Sequence, residues 1–288
     1  MFQQLGLIGC GLMGGSFALA LKKAGLVDKV VGYSASAATR ERALAMGVID
    51  AVAPNAADAA SGSDLVLLAM PVAAIEATLR EIQPRIHPRM LVMDVGSTKR
   101  DVAAASESAL REQQGCFVPA HPMAGREVSG VAHADAALYR DRLVILTPTR
   151  YTQPEPLARA TDVWRAIGCR VVQMSPAQHD AALAAVSHLP HLLAFAFMNM
   201  QSAQPQAAEQ LAVAGPGFRD FSRIAASEPR MWRDILLANR DEILSQTRQF
   251  RASLETLEQA MANVDGDGAA LERLIEQASL ARAAWRLG

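Results

Sequence analysis

The strongest constraint on the fold is an apolar segment that runs into closely spaced glycines and then into a helical pattern. Residues 5–8 are apolar apart from a glycine, Gly9, Gly11 and Gly14 follow, and residues 17–21 are alanine- and leucine-rich. Strand, G-x-G-x-x-G turn and helix in this order predict a dinucleotide-binding unit. In such a unit Gly9 makes the tight turn, Gly11 lets the backbone approach a pyrophosphate, and Gly14 lets the helix pack on the strand. The helix N-terminus then faces the phosphates.

Strand-like and helix-like segments alternate along the first 174 residues. The segments 64–71 and 90–95 are near-continuous apolar runs, as expected of parallel strands buried on both faces. Helices are predicted at 37–46, ended by Gly47, and at 72–86. Further strands are predicted at 29–34, 116–119, 143–147 and 169–174. This alternation predicts an α/β fold with a Rossmann-type doubly wound, mostly parallel sheet.

The pattern changes at Ser175, which can cap a helix together with Pro176 and Gln178. No strand is predicted beyond it. Helices are expected at 180–200, kinked at Pro190, at 227–261 and at 269–285. We therefore expect a dinucleotide-binding domain over 1–174 and an all-helical C-terminal domain over 175–288. Because residues 183–200 are apolar on nearly every face, we expect the helical domain to form a homodimer.

Composition narrows the possible partners. The chain has 288 residues, 51% of them apolar, and a net charge of −1. This balance gives no electrostatic footprint for nucleic acid or an anionic membrane, so a small-molecule partner is expected. Three cysteines without paired spacing argue against a disulfide framework and a zinc site. Without a targeting segment or an apolar run of spanning length, the chain is expected to be cytoplasmic.

Polar residues follow two of the predicted strands. Ser97 lies in a Gly-Ser-Thr-Lys segment after residues 90–95, although Thr98 and Asp101 there could serve only as a helix-capping box. His121 begins a His-Pro-Met-Ala-Gly-Arg-Glu segment that ends at Glu127. Loops held by a rigid scaffold commonly carry function, so this constellation predicts a site.

A third group is divided between residues 187–191 and 215–224. His188 and His191 lie on adjacent turns, but no third ligand has suitable spacing, and a metal is not expected. Arg219 and Arg223 share one helical face. They could be solvated and paired with Asp220; alternatively, the aromatic residues around them indicate a packed guanidinium that binds a carboxylate or phosphate.

Taken together, these segments resemble the prephenate and arogenate dehydrogenases of tyrosine biosynthesis. The resemblance covers nearly the whole chain, and the His-Pro-Met-Ala-Gly and Ser-His-Leu-Pro-His segments are its most specific parts. It implies an oxidative decarboxylation in which a hydride goes to a nicotinamide, the ring carboxylate leaves as carbon dioxide, and the ring becomes aromatic. A neutral imidazole suits the base that this reaction needs.

The resemblance also implies residue roles. His121 matches the catalytic histidine, Ser97 a serine that orients the hydroxyl, and His191 a histidine that positions the reacting pair. The residues matched to substrate binding are Arg223 for the ring carboxylate, Glu127 at the pocket mouth and Trp232 beside the site, with Arg126 and Arg219 as further candidates. The cofactor-binding candidates are Gly9, Gly11, Leu12, Met13, Gly14, Ser34, Arg40, Met70, Pro71 and Ser97.

The sequence also bears on the choice of cofactor and substrate. Ser34 stands where NAD-dependent members commonly have an aspartate that would repel the 2′-phosphate of NADP. With Arg40 nearby, this predicts a preference for NADP over NAD. Arg126 disfavours and Glu127 favours the ammonium of arogenate, so prephenate is expected to be only slightly preferred.

Two other interpretations remain open from the sequence. A β-hydroxyacid or 6-phosphogluconate-type dehydrogenase also joins a dinucleotide-binding domain to helices. It depends on a lysine near the start of the helical domain, where this chain has His179, His188 and His191 instead. A non-catalytic dinucleotide-sensing dimer would be expected to lose part of the set formed by His121, Ser97 and Arg223, and all three are present.

Overall fold

The main sheet contains six parallel strands in the order β3-β2-β1-β4-β5-β6. In this computed structural model, residues 1–125, 128–263 and 268–285 are described. The strands are β1 (Phe2–Ile8), β2 (Val27–Tyr33), β3 (Ala51–Val52), β4 (Leu65–Leu68), β5 (Leu91–Asp94) and β6 (Phe117–Val118). The helices between and after them are α1 (Leu12–Lys23), α2 (Ala37–Ala45), α3 (Ala56–Ala60), α4 (Ile75–Ile82), α5 (Arg100–Leu110) and α6 (Pro154–Ala166). The predicted doubly wound parallel sheet is confirmed.

Both faces of this sheet are buried because its strands alternate between two cores. In β4, Leu65 and Leu67 face one cluster, while Val66 and Leu68 face the other. Successive side chains of a strand point to opposite faces, so a strand covered on both sides needs an unbroken apolar run. That requirement explains why β4 and β5 could be recognised from the sequence.

The last three strands form a separate sheet instead of extending the first. β7 (Ala120–Pro122) pairs antiparallel with β8 (Leu143–Leu146), and β8 pairs parallel with β9 (Arg170–Gln173). The expectation of one continuous sheet is wrong here. Pro119 lies between β6 and β7. It lacks the N–H that a ladder would require, which is consistent with the break between the two sheets.

The helices that follow begin as predicted. Ser175 caps α7 (Pro176–Leu183), and the reciprocal capping box with Gln178 is present. A π-helical turn (Ala184–His188) leads directly into α8 (Leu189–Ser202), so Pro190 lies immediately after the π turn, inside a helical stretch that is continuous from Pro176 to Ser202. Then come α9 (Ala207–Ala212), α10 (Pro216–Ser222) and α11 (Pro229–Ala238).

Residues 176–202 form one helical stretch that is long and apolar enough to span a membrane, with a mean hydropathy of 1.6. The expectation that no apolar run approaches this length is therefore wrong for this segment, because the π turn continues the helix past Pro190. Only 22% of its most apolar window is buried within the chain. Length and composition alone do not distinguish a membrane span from a helix that packs against protein.

The chain divides into two compact units, Met1–Asn239 and Arg240–Gly288. In the second unit, α12 (Arg240–Ala262) packs against α13 (Ala269–Ala284). The predicted single helix over 227–261 is wrong, since Asn239 separates α11 from α12 with a non-helical ψ of 25°. The helix predicted at 269–285 is confirmed. A functional boundary between 174 and 175 stays a prediction.

Candidate active site

The carboxyl ends of β1 and β4, where the strand order reverses, carry the glycine turn. Gly9 has φ of +102°, a conformation that side chains disfavour, and a Cβ on Gly14 would overlap the carbonyl oxygen of Gly9. Around Gly11, by contrast, no atom of the described chain lies within 4 Å of a built Cβ. Gly9 and Gly14 are thus required by packing, whereas Gly11 opens a space at the sheet edge.

That space lies at an uncapped helix N-terminus. Gly11 is the residue at the N-cap position of α1, and no side chain of the described residues forms a capping hydrogen bond there. The first turn of α1 holds no acidic residue. The unpaired N–H groups and the positive end of the helix dipole favour an anion there. These features fit a dinucleotide pyrophosphate.

The end of β2 is the place where the adenosine ribose is recognised in dinucleotide-binding sheets. Ser34 follows β2, and the guanidinium of Arg40 folds back to donate to its carbonyl oxygen while lying 5.8 Å above the Tyr33 ring. Ser36 accepts a hydrogen bond from the Thr39 N–H at 3.3 Å and so caps α2. The guanidinium of Arg40 thus lies against the residue at this position.

The remaining cofactor candidates occupy the same edge. Leu12 and Met13 form the first turn of α1, where Leu12 is buried and the Met13 carbonyl accepts the Tyr139 hydroxyl at 2.7 Å. Met70 and Pro71 follow β4. Their contacts with a cofactor stay predictions.

Ser97 and His121 are brought together by one buried carboxylate. Asp94 is the last residue of β5; its Oδ2 accepts the Gly96 N–H at 2.7 Å, and its Oδ1 accepts the Ala120 N–H at 3.1 Å. Gly96 immediately precedes Ser97, and Ala120 immediately precedes His121. Asp94 therefore ties the two segments that carry these candidate catalytic residues.

The charge of Asp94 is balanced by Lys99. Its Nζ lies 2.5 Å from Asp94 Oδ2, and both side chains are fully buried. Removing one member of such a pair leaves an uncompensated charge in a low-dielectric interior, which is strongly destabilising. Lys99 thus supports the Asp94 junction, the place where Asp94 joins the segments that carry Ser97 and His121. The sequence did not predict this role for Lys99.

The segment after Ser97 does not use the predicted capping box. α5 has no capping hydrogen bond from its N-cap Lys99, and Thr98 Oγ1 and Asp101 Oδ1 have no hydrogen-bond partner in the described parts of the chain. Instead, Asp180 of α7 accepts the N–H groups of Lys99 at 2.8 Å and Arg100 at 2.9 Å. The Thr98–Asp101 capping box is therefore wrong, because a carboxylate 80 residues away takes its place.

Sequence reasoning missed a second histidine in contact with His121. Nδ1 of His121 lies 2.8 Å from Nε2 of His179, and Nδ1 of His179 lies 2.7 Å from Oδ1 of Asp180. His179 and Asp180 follow the Ser175 capping box directly, in the first turns of α7. An adjacent His-Asp pair beside a helix start was the only local signal available.

The third polar group forms a cluster of rings. His191 stacks on Trp232 with ring centroids 3.6 Å apart, and its Nδ1 lies 2.9 Å from the Ser187 carbonyl oxygen. The His188 ring meets Trp232 edge-on at 6.1 Å. Asn239 links this cluster to α7, because its Nδ2 lies 3.1 Å from His188 Nδ1 and donates to the Asp180 carbonyl oxygen at 2.8 Å. Asp180 therefore connects the segment that carries His188 and His191, and the end of α11, to the segment that follows Ser97.

Arg219 and Arg223, the two arginine candidates of the helical region, are both exposed within the chain. Arg223 begins a 3-10 turn (Arg223–Ala226) that packs against α8, the helix that carries His191. Arg219 is exposed, and its Nε lies 3.4 Å from Asp220 Oδ1, as in the solvated-pair interpretation. Arg126 and Glu127 lie outside the described residues. Within those residues, no three His, Cys, Asp or Glu side chains form a group that could hold a metal.

Burial determines the protonation of the histidines. His121 is 8% exposed, and burial, together with His179, Lys99 and His188, holds its pKa well below 6.5. Burial also lowers the pKa of His179, against the opposing effect of Asp180, and lowers the pKa of His188 to about 4. All three imidazoles are therefore neutral at pH 7, and a neutral imidazole can accept a proton.

A dinucleotide-binding sheet with a neutral histidine near its carboxyl edge is typical of Rossmann-fold dehydrogenases. The chain belongs to the prephenate dehydrogenase family: residues 17–173 match its nucleotide-binding domain and residues 175–277 its dimerization domain. Members of this family are NAD(P)-dependent oxidoreductases of tyrosine biosynthesis, and the expected family and enzyme class are confirmed. The β-hydroxyacid and non-catalytic alternatives are not favoured.

Individual relatives agree with the family assignment. The chain is 37% identical over 270 residues to a cyclohexadienyl dehydrogenase of Zymomonas mobilis, covering 93% of this chain and 91% of the relative. It is 34% identical over 267 residues to a prephenate dehydrogenase of Bacillus subtilis, covering 91% and 71%. The crystal structure of Aquifex aeolicus prephenate dehydrogenase with hydroxyphenyl propionate and NAD+ superposes with a TM-score of 0.90 at 32% identity, covering 98% of each chain.

Proposed function

We propose that the protein oxidises and decarboxylates prephenate, arogenate or both, with His121 as the base. The products are 4-hydroxyphenylpyruvate or tyrosine, carbon dioxide and the reduced nicotinamide cofactor. The observation that carries the role of His121 is the Asp94 junction. One fully buried carboxylate holds the backbone beside both Ser97 and His121, so a hydroxyl and a neutral imidazole lie on two adjoining segments beyond the sheet edge.

The chemistry assigned to the chain follows from this arrangement. Gly11 and the N-terminus of α1 would hold the cofactor pyrophosphate, and the bound oxidised nicotinamide supplies the acceptor for the hydride. Ser97 orients the ring hydroxyl of the substrate, and His121 takes its proton as the carbinol carbon is oxidised. Arg223 binds the ring carboxylate, a planar group that guanidinium matches better than ammonium does. Loss of carbon dioxide then completes the aromatic ring.

A spectrophotometric assay tests this proposal. Formation of reduced nicotinamide is followed with prephenate or arogenate and with each oxidised cofactor, and the product is identified as 4-hydroxyphenylpyruvate or tyrosine. Turnover with at least one substrate is expected. Absence of turnover with all four combinations, in protein that binds cofactor, would reject the proposal.

NADP is proposed as the preferred cofactor. Support comes from the Arg40 guanidinium, which lies against Ser34 where an aspartate would otherwise repel the 2′-phosphate. Ser34→Asp should shift the ratio of kcat/KM values toward NAD by weakening NADP. A wild-type preference for NAD of about tenfold or more in kcat/KM would contradict this interpretation. Such a ratio corresponds to about 1.4 kcal/mol in favour of NAD.

A homodimer in the cytoplasm is also proposed. In α8 only Ala194 is fully buried within the chain, although the helix is largely apolar. Covering such a face with a second copy removes apolar surface from water. Sedimentation at micromolar concentration should give a dimer mass, whereas a monomer would count against the proposal.

The choice between substrates stays as the sequence suggests, with prephenate slightly preferred. Arg126 and Glu127, on which this choice depends, lie outside the described residues. Specificity constants for the two substrates test it. A ratio far above ten in favour of arogenate would mean that the Arg126 charge was given too much weight.

A further inference from the structure

Behind His121 lies a continuous row of polar side chains that the motifs do not explain. The order is His121, His179 and Asp180, joined by contacts of 2.8 and 2.7 Å. The two rings are tilted by 57°, with their centroids 5.1 Å apart. His179 and Asp180 are fully buried, so water does not compete for these contacts and each of them constrains its neighbour.

The row ends in a carboxylate whose charge is well supported. Burial opposes ionisation of Asp180, but hydrogen bonds from His179 and from the N–H groups of Arg100 and Lys99 outweigh it and hold its pKa below the usual value. A carboxylate can only accept hydrogen bonds. Nδ1 of His179 must therefore carry the proton in the contact with Oδ1 of Asp180.

The position of that proton determines the next one along the row. In neutral His179 with a proton on Nδ1, Nε2 has a lone pair and acts as an acceptor. The facing Nδ1 of His121 must then be the donor. In neutral His121 with a proton on Nδ1, the remaining nitrogen, Nε2, is the basic atom.

We infer that His179 and Asp180 are positioning residues that hold His121 in the Nδ1-protonated form and receive the positive charge produced when Nε2 takes a proton. This inference rests on the proposed function, in which His121 is the base. The logic resembles that of a serine-protease triad, where a buried aspartate fixes the tautomer of the catalytic histidine. Here a second imidazole is placed between carboxylate and base.

The proton transfers balance as follows. The substrate O–H bond breaks and an Nε2–H bond forms on His121. The His121 Nδ1–H bond then breaks and an Nε2–H bond forms on His179, which leaves His121 neutral and His179 as an imidazolium beside Asp180. The positive charge ends one ring further from the substrate, against a carboxylate.

Other charges near the row make the carboxylate necessary. Lys99 disfavours a positive charge on either histidine, and His188 also lowers the pKa of His121 although it carries no charge itself at pH 7. Asp94 favours a charge on His179 but is already paired with Lys99 at 2.5 Å. Asp180 is therefore the charge in direct contact that stabilises an imidazolium here.

The first test reads the tautomer directly, in cofactor-free protein with ring-¹⁵N-labelled histidine. Long-range ¹H–¹⁵N correlation spectra distinguish protonated from unprotonated ring nitrogens, and His121→Asn identifies the His121 signals. We expect His121 Nδ1 protonated and Nε2 unprotonated, and a change of this pattern in His179→Leu. A wild-type His121 with its proton on Nε2 would overturn the inference.

The second test separates positioning from packing through kinetics. His179→Gln retains an amide oxygen that can accept from His121 Nδ1 but cannot take a proton, so kcat should fall by about tenfold. His179→Leu also removes the acceptor and should cost about a hundredfold, at the lower end of the effect of a general base. Equal losses in both variants would indicate packing alone and reject the inference.

The acid limb of the kcat/KM profile gives a further readout. Asp180→Asn removes the charge that favours the protonated pair, so the limb should move to lower pH. Because Asp180 also caps α5, thermal melting is measured alongside, and His179→Gln, which leaves the cap intact, should move the limb in the same direction. An unshifted limb in folded His179→Gln would overturn the charge-receiving role.

Controls distinguish this inference from the function on which it rests. His87→Gln changes an exposed histidine and should leave both the rate and the acid limb as in wild type. Lack of turnover with either substrate, together with the expected tautomer, would reject the proposed function and leave the tautomer assignment standing. Turnover with the opposite tautomer would reject the inference alone.

Discussion

The glycine turn, which is the candidate cofactor site, and the catalytic junction are built in opposite ways. The catalytic junction comprises Asp94, Lys99, His121, His179 and Asp180. At the glycine turn the function depends on missing side chains: Gly9 and Gly14 leave room for backbone, and Gly11 leaves room at a helix N-terminus. At the catalytic junction it depends on buried polar groups that contact one another across long sequence separations, 58 residues for the His121 and His179 side chains and 81 for the Lys99 N–H and the Asp180 carboxylate. A site of the first kind is encoded locally, whereas a site of the second kind exists only in the folded chain.

The largest expected effect is at the catalytic junction. His121→Asn removes the base, and we expect kcat to fall by roughly a hundred- to ten-thousandfold. Cofactor affinity should be retained, because the glycine turn is a separate structure. Steady-state kinetics and cofactor titration together check this. Near-normal turnover in folded protein would contradict the role of His121.

Acid stability probes the same buried groups without catalysis. His188 has a folded pKa of about 4 against an ordinary 6.5, so below pH 6.5 the unfolded chain binds a proton that the folded chain excludes. Its contribution to stability is therefore lost as the pH falls from 6.5 to 4, by about 3 kcal/mol.

Urea unfolding of cofactor-free protein at pH 7 and pH 4 measures this loss. In His188→Gln the decrease between the two pH values should be smaller by about 3 kcal/mol than in wild type. His87→Gln, an exposed control, should behave as wild type. The same decrease in all three proteins would show that burial of His188 does not drive the acid sensitivity.

A matched pair of glycine variants tests the glycine turn, the other region of this comparison. Gly14→Ala places a Cβ on the Gly9 carbonyl and should lower the free energy of unfolding by about 1–3 kcal/mol. Gly11→Ala meets open space and has φ of −79°, which alanine adopts, so its loss should stay below about 1 kcal/mol.

For cofactor affinity the order of the two glycine variants should be reversed, with the larger loss in Gly11→Ala. Gly11→Ala puts a methyl group where the backbone approaches the pyrophosphate, and its Kd should rise by about tenfold, equivalent to about 1.4 kcal/mol. Calorimetric titration and thermal melting measure the two quantities. Unchanged cofactor affinity in Gly11→Ala would mean that the pyrophosphate does not approach Gly11.

The last expected effect concerns substrate binding. Arg223→Ala should raise KM by roughly 10- to 100-fold with little change in kcat, the cost of a charge-assisted hydrogen bond made in both ground and transition states. Arg219→Ala is measured beside it. An increased KM only in Arg219→Ala would move carboxylate binding to that residue.

Local patterns were reliable wherever the physics is local. The capping box at Ser175 needs only residues three apart, and the apolar runs of β4 and β5 reflect burial on both faces of each strand. Prediction was wrong where distant groups decide. Asp180 caps α5 in place of Thr98 and Asp101, and Asn239, which contacts His188 and Asp180, ends α11 inside what read as one long helix.

The sequence by itself predicted the dinucleotide-binding fold, and its segments, together with their resemblance to a known family, singled out His121, Ser97 and Arg223 as candidates, because glycine sterics, strand burial and motif spacing operate over short stretches. Only the tertiary structure decided that Asp94 ties Ser97 to His121, and that His179 and Asp180 lie behind the base. These contacts depend on hydrogen bonds between buried groups, whose strength comes from the exclusion of water. A linear pattern does not specify which distant polar groups will share that interior.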